Sequence, residues 1–334
     1  MRKKEVKRAI FFVLIVAMLV LVGVKNSSAT ECGSVPTNGC SVSQNTTFVT
    51  GIYSLMNGIN IGADNIILDC NGSIINGSSR SPYTYGIQMN GYYYHNAITN
   101  CTVMNYDGGL FLRGGDYGGP TSNRVFRNTF KSNNNGIYLL TRVRYNNITQ
   151  NRIQDNFQKG INLDFSIGVE KNKIWNNDFL NNTLQAYDSG YGGTINYWNS
   201  SGQGNYWSNY DNETKGCYDN NSDLSCDAPY NISGSAVSKD YLSLIGVKVI
   251  NILPIQVVKD IDMVKGKTTL VRSTLENVGI VNKNITVKLY FEGSLMDTKD
   301  DAINSGQSKY VDLFFSPNIS GDNKQIKIEV KENK

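Results

Sequence analysis

Histidine is almost missing from this chain. One imidazole, His95, serves 334 residues, so chemistry that gathers several imidazoles around a metal has no material to work with. Charge is also thin, at 18 % of residues. The basic excess of +4 sits at the extreme N-terminus: residues 1–29 hold six basic side chains and one acidic, leaving 26 basic against 27 acidic in the remainder. Without a basic stripe, nucleic-acid binding loses its electrostatic support. Long apolar runs are absent but for Ala9 to Val24, which follows Arg2, Lys3, Lys4, Lys7 and Arg8 and precedes Ser27-Ser28-Ala29. That order is a signal peptide over residues 1–29, short for a membrane span, and any membrane attachment would run through it if it stays uncleaved.

What the chain has in abundance is a period. Five times a Gly opens an alternating apolar pair: Gly58-Ile59-Asn60-Ile61, Gly86-Ile87-Gln88-Met89, Gly109-Leu110-Phe111-Leu112, Gly136-Ile137-Tyr138-Leu139 and Gly160-Ile161-Asn162-Leu163. The steps between them are 28, 23, 27 and 24 residues. Between the tetrads a second pattern, N-x-[I/V]-x-x-N-x-[I/F]-x-x-N, appears intact from Asn123, Asn146 and Asn172. Such a repeat, with three short strands in each, makes a solenoid whose coils bury their apolar faces only by stacking. The recurring Asn suits the bends, since it tolerates left-handed backbone and bonds neighbouring backbone groups. Stacked in register, these Asn side chains would bond along a column.

The flanks differ in texture. Residues 30–57 read as an N-terminal cap, with Cys32 and Cys40 placed to close a small loop; residues 58–188 are the coils; residues 189–245 form a closing cap in which Trp207 covers the last coil. Laid back onto earlier repeats, the Asn pattern aligns Asn96 with Asn65 and sets Cys101 over Cys70, one rung or about 4.8 Å apart, within disulfide reach. Six cysteines in an exported chain point to bridges, Cys217 and Cys226 included. Between that last pair, Asp219, Asn221, Asp223 and Asp227 follow a D-x-N-x-D-x-x-x-D spacing that suits a structural Ca²⁺, although Leu224 stands where such loops want Gly. From residue 246 to 334 alternating runs at Val247–Val258, Thr268–Leu275, Ile285–Phe291, Tyr310–Phe315 and Gln325–Val330, within seven or so short strands, indicate an antiparallel β-sandwich. The fold class is therefore all-β, a right-handed parallel β-helix followed by an Ig-like sandwich. Thirteen Asn-x-Ser/Thr sequons suit a glycosylating, archaeal-type cell surface.

The G-I-x-L and Asn repeats, with Gly204-Asn205-Tyr206-Trp207-Ser208-Asn209-Tyr210 and the acidic segment ending at Asp227-Ala228-Pro229-Tyr230, resemble the NosD and carbohydrate-binding, sugar-hydrolysis (CASH) group of β-helix proteins over about residues 45–245. The segments Ser273 to Gly279 and Val287 to Gly293 resemble the CARDB domain, an adhesion-related Ig-like module. The first resemblance implies sugar binding, polysaccharide cleavage or, in some NosD proteins, copper. Copper wants imidazole or soft ligands; His95, in Tyr92-Tyr93-Tyr94-His95, and the scattered Met56, Met89, Met104, Met263 and Met296 do not supply them, so none is expected.

Three functions remain open. The leading one is a secreted, cell-surface binding or adhesion protein that meets an extracellular polysaccharide or another surface protein. A polysaccharide lyase or glycoside hydrolase is the second, although the signatures of pectin hydrolases are absent and only Arg113 and Asp164, at matching positions two rungs apart, offer a charged pair. A structural envelope component is the third. For the first, the outward residues of the tetrads, Asn60, Gln88, Phe111, Tyr138 and Asn162, would form a strip about 20 Å long.

Overall fold

The computed structural model describes residues 30–164, 167–190, 195–220, 225–245, 247–255, 265–277, 282–319 and 324–332. Signal-peptide residues 1–29, and with them any cleavage site, lie outside the described residues.

Three parallel sheets wrap one core. The first has seven strands running from Ser41–Val42 to Leu184–Asp188, the second six from Thr46–Thr47 to Lys173–Trp175, the third seven from Ile52–Ser54 to Tyr206–Trp207. Each coil contributes one short strand to each sheet, so every strand pairs with its counterpart one repeat away: Leu110 lies between Ile87 and Ile137, and Val125 between Ile98 and Ile148. Identical positions therefore stack into apolar columns such as Ile87, Leu110, Ile137 and Ile161, all fully buried. Isolated coils bury none of this surface, which is why the fold needs the repeat.

Asparagine does its work one residue away from where the bends are tightest. The left-handed positions fall at Asn100, Arg127, Gln150 and Asn176 (φ 54–57°), and again at Asn105, Ser132, Asp155 and Asn181. Each lies immediately before a column residue, so the column Asn adopts ordinary backbone and uses its amide instead. Three columns result. Asn123, Asn146, Asn172 and Asn196 form one, Asn128, Asn151, Asn177 and Asn205 the second, and Asn133, Asn156 and Asn182 the third. In each step the backbone N–H of one coil donates to the Oδ1 of the next at 3.0–3.2 Å. The backbone N–H donors all point toward the C-terminal end, although each Nδ2 also bonds a carbonyl of the preceding coil, so each column finishes with donors that need an acceptor. Asp188 receives Asn196 Nδ2, Asp240 receives both the backbone N–H and Nδ2 of Asn205, and Gln185 Oε1 receives Asn182 Nδ2.

At the N-terminal end the columns are finished differently, and the alignment of Asn65 with Asn96 is off by one. Ile67 pairs with Ala97 and Leu68 with Ile98, which places Ile66 opposite Asn96; Asn65 takes the left-handed position (φ 58°) and Ile66 N–H donates to Asn96 Oδ1. The first complete coil also begins earlier than the tetrads suggest, at Ser41–Val42, Thr46–Thr47 and Ile52–Ser54, inside the segment read as a cap.

Disulfides join Cys32 to Cys40, Cys70 to Cys101 and Cys217 to Cys226. Cys70 and Cys101 stack on consecutive coils with Cα atoms 4.8 Å apart, the spacing of two parallel strands. Because this bridge closes a loop of about thirty residues in the unfolded chain, the Cys70→Ser/Cys101→Ser double variant should unfold with about 4 kcal/mol less stability, as read from denaturant midpoints. An unchanged midpoint would show that stacking alone holds those coils.

Tyr206–Trp207 extends the third sheet by pairing with Asp178 and Phe179. Trp207 is fully buried between Phe179 and Tyr230, with ring centroids 4.2 Å from each. Beyond it, two three-stranded antiparallel sheets form the sandwich. Thr269–Asn277 is central in one, Lys283–Phe291 in the other, and Val271, Leu275, Val287, Leu289, Val311 and Leu313 fill the space between. The strand Ser294–Ile303 was not among the runs read from the sequence, because Asp297, Lys299, Asp300 and Asp301 break the apolar alternation at an edge. Val247–Ile255 is a strand; residues 256–258 of the expected run lie outside the described residues. Among the described residues no helix is long and apolar enough to cross a membrane.

Candidate functional site

Three rows of side chains point outward from the first sheet. Along one row stand Tyr85, Gly108, Asn135 and Lys159; along the next Asn60, Gln88, Phe111, Tyr138, Asn162 and Tyr187; along the third Asn90, Arg113 and Leu140. The tetrads thus stack as their alternation requires.

Gly108 changes what this surface can be. Lacking a Cβ, which would lie 3.0 Å from Tyr85 Cδ1, it leaves room for the Tyr85 ring to fold across its rung and stack on Phe111 at 3.9 Å with planes 6° apart. Tyr138 leans on the other side at 5.4 Å. Phe111 is consequently 2 % exposed. The sequence reading offered its face to a ligand; the structure closes that face with Tyr85, and the accessible aromatic walls are Tyr85 and Tyr138.

Beside this stack lies a groove of about 500 Å³. It is lined by the exposed Tyr83, Arg113 and Gln158, the half-buried Tyr85, Asp107, Tyr138 and Leu140, and the buried Phe111, Asn135 and Asn162. Gln88 and Asn60 continue the row below but do not line the groove. The carboxylate in its lining, Asp107, and Asp164 beside Tyr138 are both engaged. Asp107 accepts from the backbone N–H of Tyr83 at 2.9 Å and from Asn134 Nδ2 at 3.0 Å, while Asp164 accepts from the Tyr138 hydroxyl. Burial, reinforced by that bond and the Asp164 charge, pushes the Tyr138 phenol well above the usual tyrosine range. Burial first and Asp107 second push Tyr85 the same way. Both hydroxyls stay protonated, fitted to donate rather than to act as a base.

Two amides stand out against the Asn columns. Asn135 and Asn162 are 6 % and 7 % exposed, and the Oδ1 of each has no hydrogen-bond partner. Every column Asn carries an acceptor that is used; these two buried carbonyl oxygens are not, and leaving one unmet costs about 1–3 kcal/mol.

Arg113 and Asp164 do lie two rungs apart, with Leu140 between, since Arg113 pairs with Leu140 and Asp164 N–H bonds Leu139. With Asp164 held by Tyr138, they form no ion pair. In the closing cap, Asn221 and Asp223 of the calcium reading lie outside the described residues, and Asp227 accepts from both the backbone N–H and Nδ2 of Asn220.

Residues 117–212 match the family model described as periplasmic copper-binding protein (NosD). The β-helix is NosD-like. No curated protein matches the chain. The match covers the later coils and the start of the closing cap, where the Asn columns are most regular.

The donors for copper do not fit among the described residues. No three His, Cys, Asp or Glu side chains converge as a metal group there. All six cysteines are oxidised, Met89 is sealed in the core and His95 is an exposed bend residue. Met263 lies outside the described residues.

Sequence reasoning reached Phe111, Tyr138, Asn162 and Arg113 of the groove. It missed Tyr83, Tyr85, Asp107, Asn135 and Gln158. The one signal for them was position: Tyr85, Asp107, Asn135 and Gln158 all precede their tetrads by one or two residues, where the chain enters the first sheet.

Proposed function

We propose that this protein is a secreted or surface-held carbohydrate-binding protein, with the groove of the NosD-like β-helix as its glycan site and the sandwich as an adhesion or spacer module. The observation that carries the reading is the pair of buried, unpartnered Asn135 and Asn162 carbonyl oxygens in a groove walled by Tyr85 and Tyr138. Sugars present hydroxyl donors on their edges and apolar C–H surface on their faces, and the groove offers acceptors below and ring faces beside. The NosD-like β-helix and the three disulfides agree with a place outside the reducing cytosol. Cleavage has weaker support, because Tyr138 and Asp164 bind each other and Arg113 has no carboxylate partner within the site.

The Tyr138→Ala variant tests the reading. A glycan array probed with the leaderless protein should give at least one binder, and Tyr138→Ala should weaken it about tenfold or more, the equivalent of losing one aromatic contact with its hydrogen bond. Equal binding by a folded variant would place the ligand elsewhere.

A further inference from the structure

Resting on the groove as a glycan site, we infer that its ligand is an acidic sugar whose carboxylate pairs with Arg113. The guanidinium stands at the groove's rim with no ion pair or side-chain hydrogen bond among the described residues, whereas Asp107 and Asp164 are both engaged by protein donors. Charge in and beside this groove is therefore asymmetric in availability: the negative groups are already solvated by the protein and the positive one is not.

Spacing agrees. Arg113 and Asn162 are separated by two rungs across the sheet and one outward row, two residues, along it, roughly 12 Å between backbones from the strand spacing and rise. An extended arginine closes about half of that distance. What is left is about the width of one pyranose ring, so a sugar with hydroxyls on Asn135 and Asn162 can set a ring carboxylate, or its neighbour's, against the guanidinium. The planar fork of arginine matches a carboxylate with two parallel bonds, a geometry a hydroxyl cannot complete.

Neither Asp107 in the groove nor Asp164 beside Tyr138 cancels this preference. Asp164 is two rungs away, close to 10 Å and about one screening length at physiological salt. Asp107 enters at the opposite end of the strand Gly108–Arg113, farther still. A contact pair at Arg113 outweighs both because Coulomb attraction falls with distance and exposed charges beyond a screening length hardly interact.

The experiment compares a galacturonic acid tetrasaccharide, its neutral galactose counterpart and a sulfated form of the neutral one, by calorimetry at low and physiological salt. We expect the uronate to bind about 10- to 100-fold more tightly than the neutral chain, the range of a charge-assisted hydrogen-bonded pair, and that preference to vanish in Arg113→Gln. Because Arg113 is exposed, the variant should fold, which its melting curve checks. Equal affinity for uronate and neutral chains, lost in Tyr138→Ala, overturns the acidic preference and leaves the glycan site standing. A sulfated chain that binds as well as the uronate overturns the carboxylate assignment. Binding indifferent to both Tyr138→Ala and Arg113→Gln overturns the groove reading itself.

Discussion

Asn151→Ala should destabilise the solenoid by about 3–5 kcal/mol, a fall in Tm of roughly 10 °C. Asn151 is buried at the middle of its column. Its Oδ1 accepts the backbone N–H and the Nδ2 of Asn128, and its own Nδ2 donates to the carbonyls of Val125 and Thr149 and to Asn177 Oδ1. Alanine leaves the Asn128 N–H with no acceptor, and the carbonyls lose donors in a place water does not reach. Each such orphan costs about 1–3 kcal/mol, whereas the intact bonds contribute less than that apiece, so the loss comes mostly from what is left unmet. Thermal unfolding followed by circular dichroism checks the prediction; a shift under about 2 °C would mean that the columns are decoration on a sheet held by its apolar core.

A second large effect should come from acid, in an unusual direction: the solenoid should lose stability as pH rises from about 4 to about 6. Asp240 is fully buried, and burial raises its carboxyl from 3.8 to about 6, against the opposing pull of the Asn205, Trp207 and Leu242 donors. Between those two pH values the folded state keeps a proton that the unfolded state has released. Stability from this group is therefore complete below about 4 and lost above about 6, by roughly 3 kcal/mol. Asp188, capping the neighbouring column, is shifted the same way by burial. The difference in unfolding free energy between Asp240→Asn and the wild type, taken at each pH, cancels other titrations. It should change by that amount across the window; a flat difference contradicts the account. The charge is retained despite its cost because the backbone N–H donors of the column all point the same way, and Asn205, at its end, has no further Asn to accept its N–H, so only a terminal acceptor completes it.

How much of this was legible in the sequence follows from which residues repeat. Ile, Leu and Asn recur at fixed offsets, so the sheets, the register of Phe111 with Tyr138 and the stacking of Cys70 on Cys101 could be read from spacing alone. The first coil could not, because Ser41-Val42 and Thr46-Thr47 carry neither the Gly tetrad nor the Asn pattern and are defined only by their partners. Asn65 misled because Asn suits both a column and a left-handed bend, and the sequence does not say which role it fills. In the groove, the outward row was legible but its use was not. The folding of Tyr85 across Gly108 depends on a missing Cβ one coil away, and the unmet carbonyls of Asn135 and Asn162 lie on strands, whereas the satisfied ones of Asn128 and Asn151 lie in the bends between strands, a distinction the residue type does not carry. Asp188 and Asp240 lie beyond the last repeats, where periodicity gives no register for them.

The most direct test of the glycan site is one variant measured twice. Asn135→Ala/Asn162→Ala removes two buried acceptors that the free protein does not use, so its Tm should equal or exceed that of the wild type, opposite to Asn151→Ala. Its affinity for the glycan found on the array should fall about tenfold or more, since the proposed glycan site assigns each carbonyl to a ligand hydroxyl. A lowered Tm together with unchanged glycan affinity would contradict the account, showing that these two amides serve the fold and that the groove is not where the sugar binds.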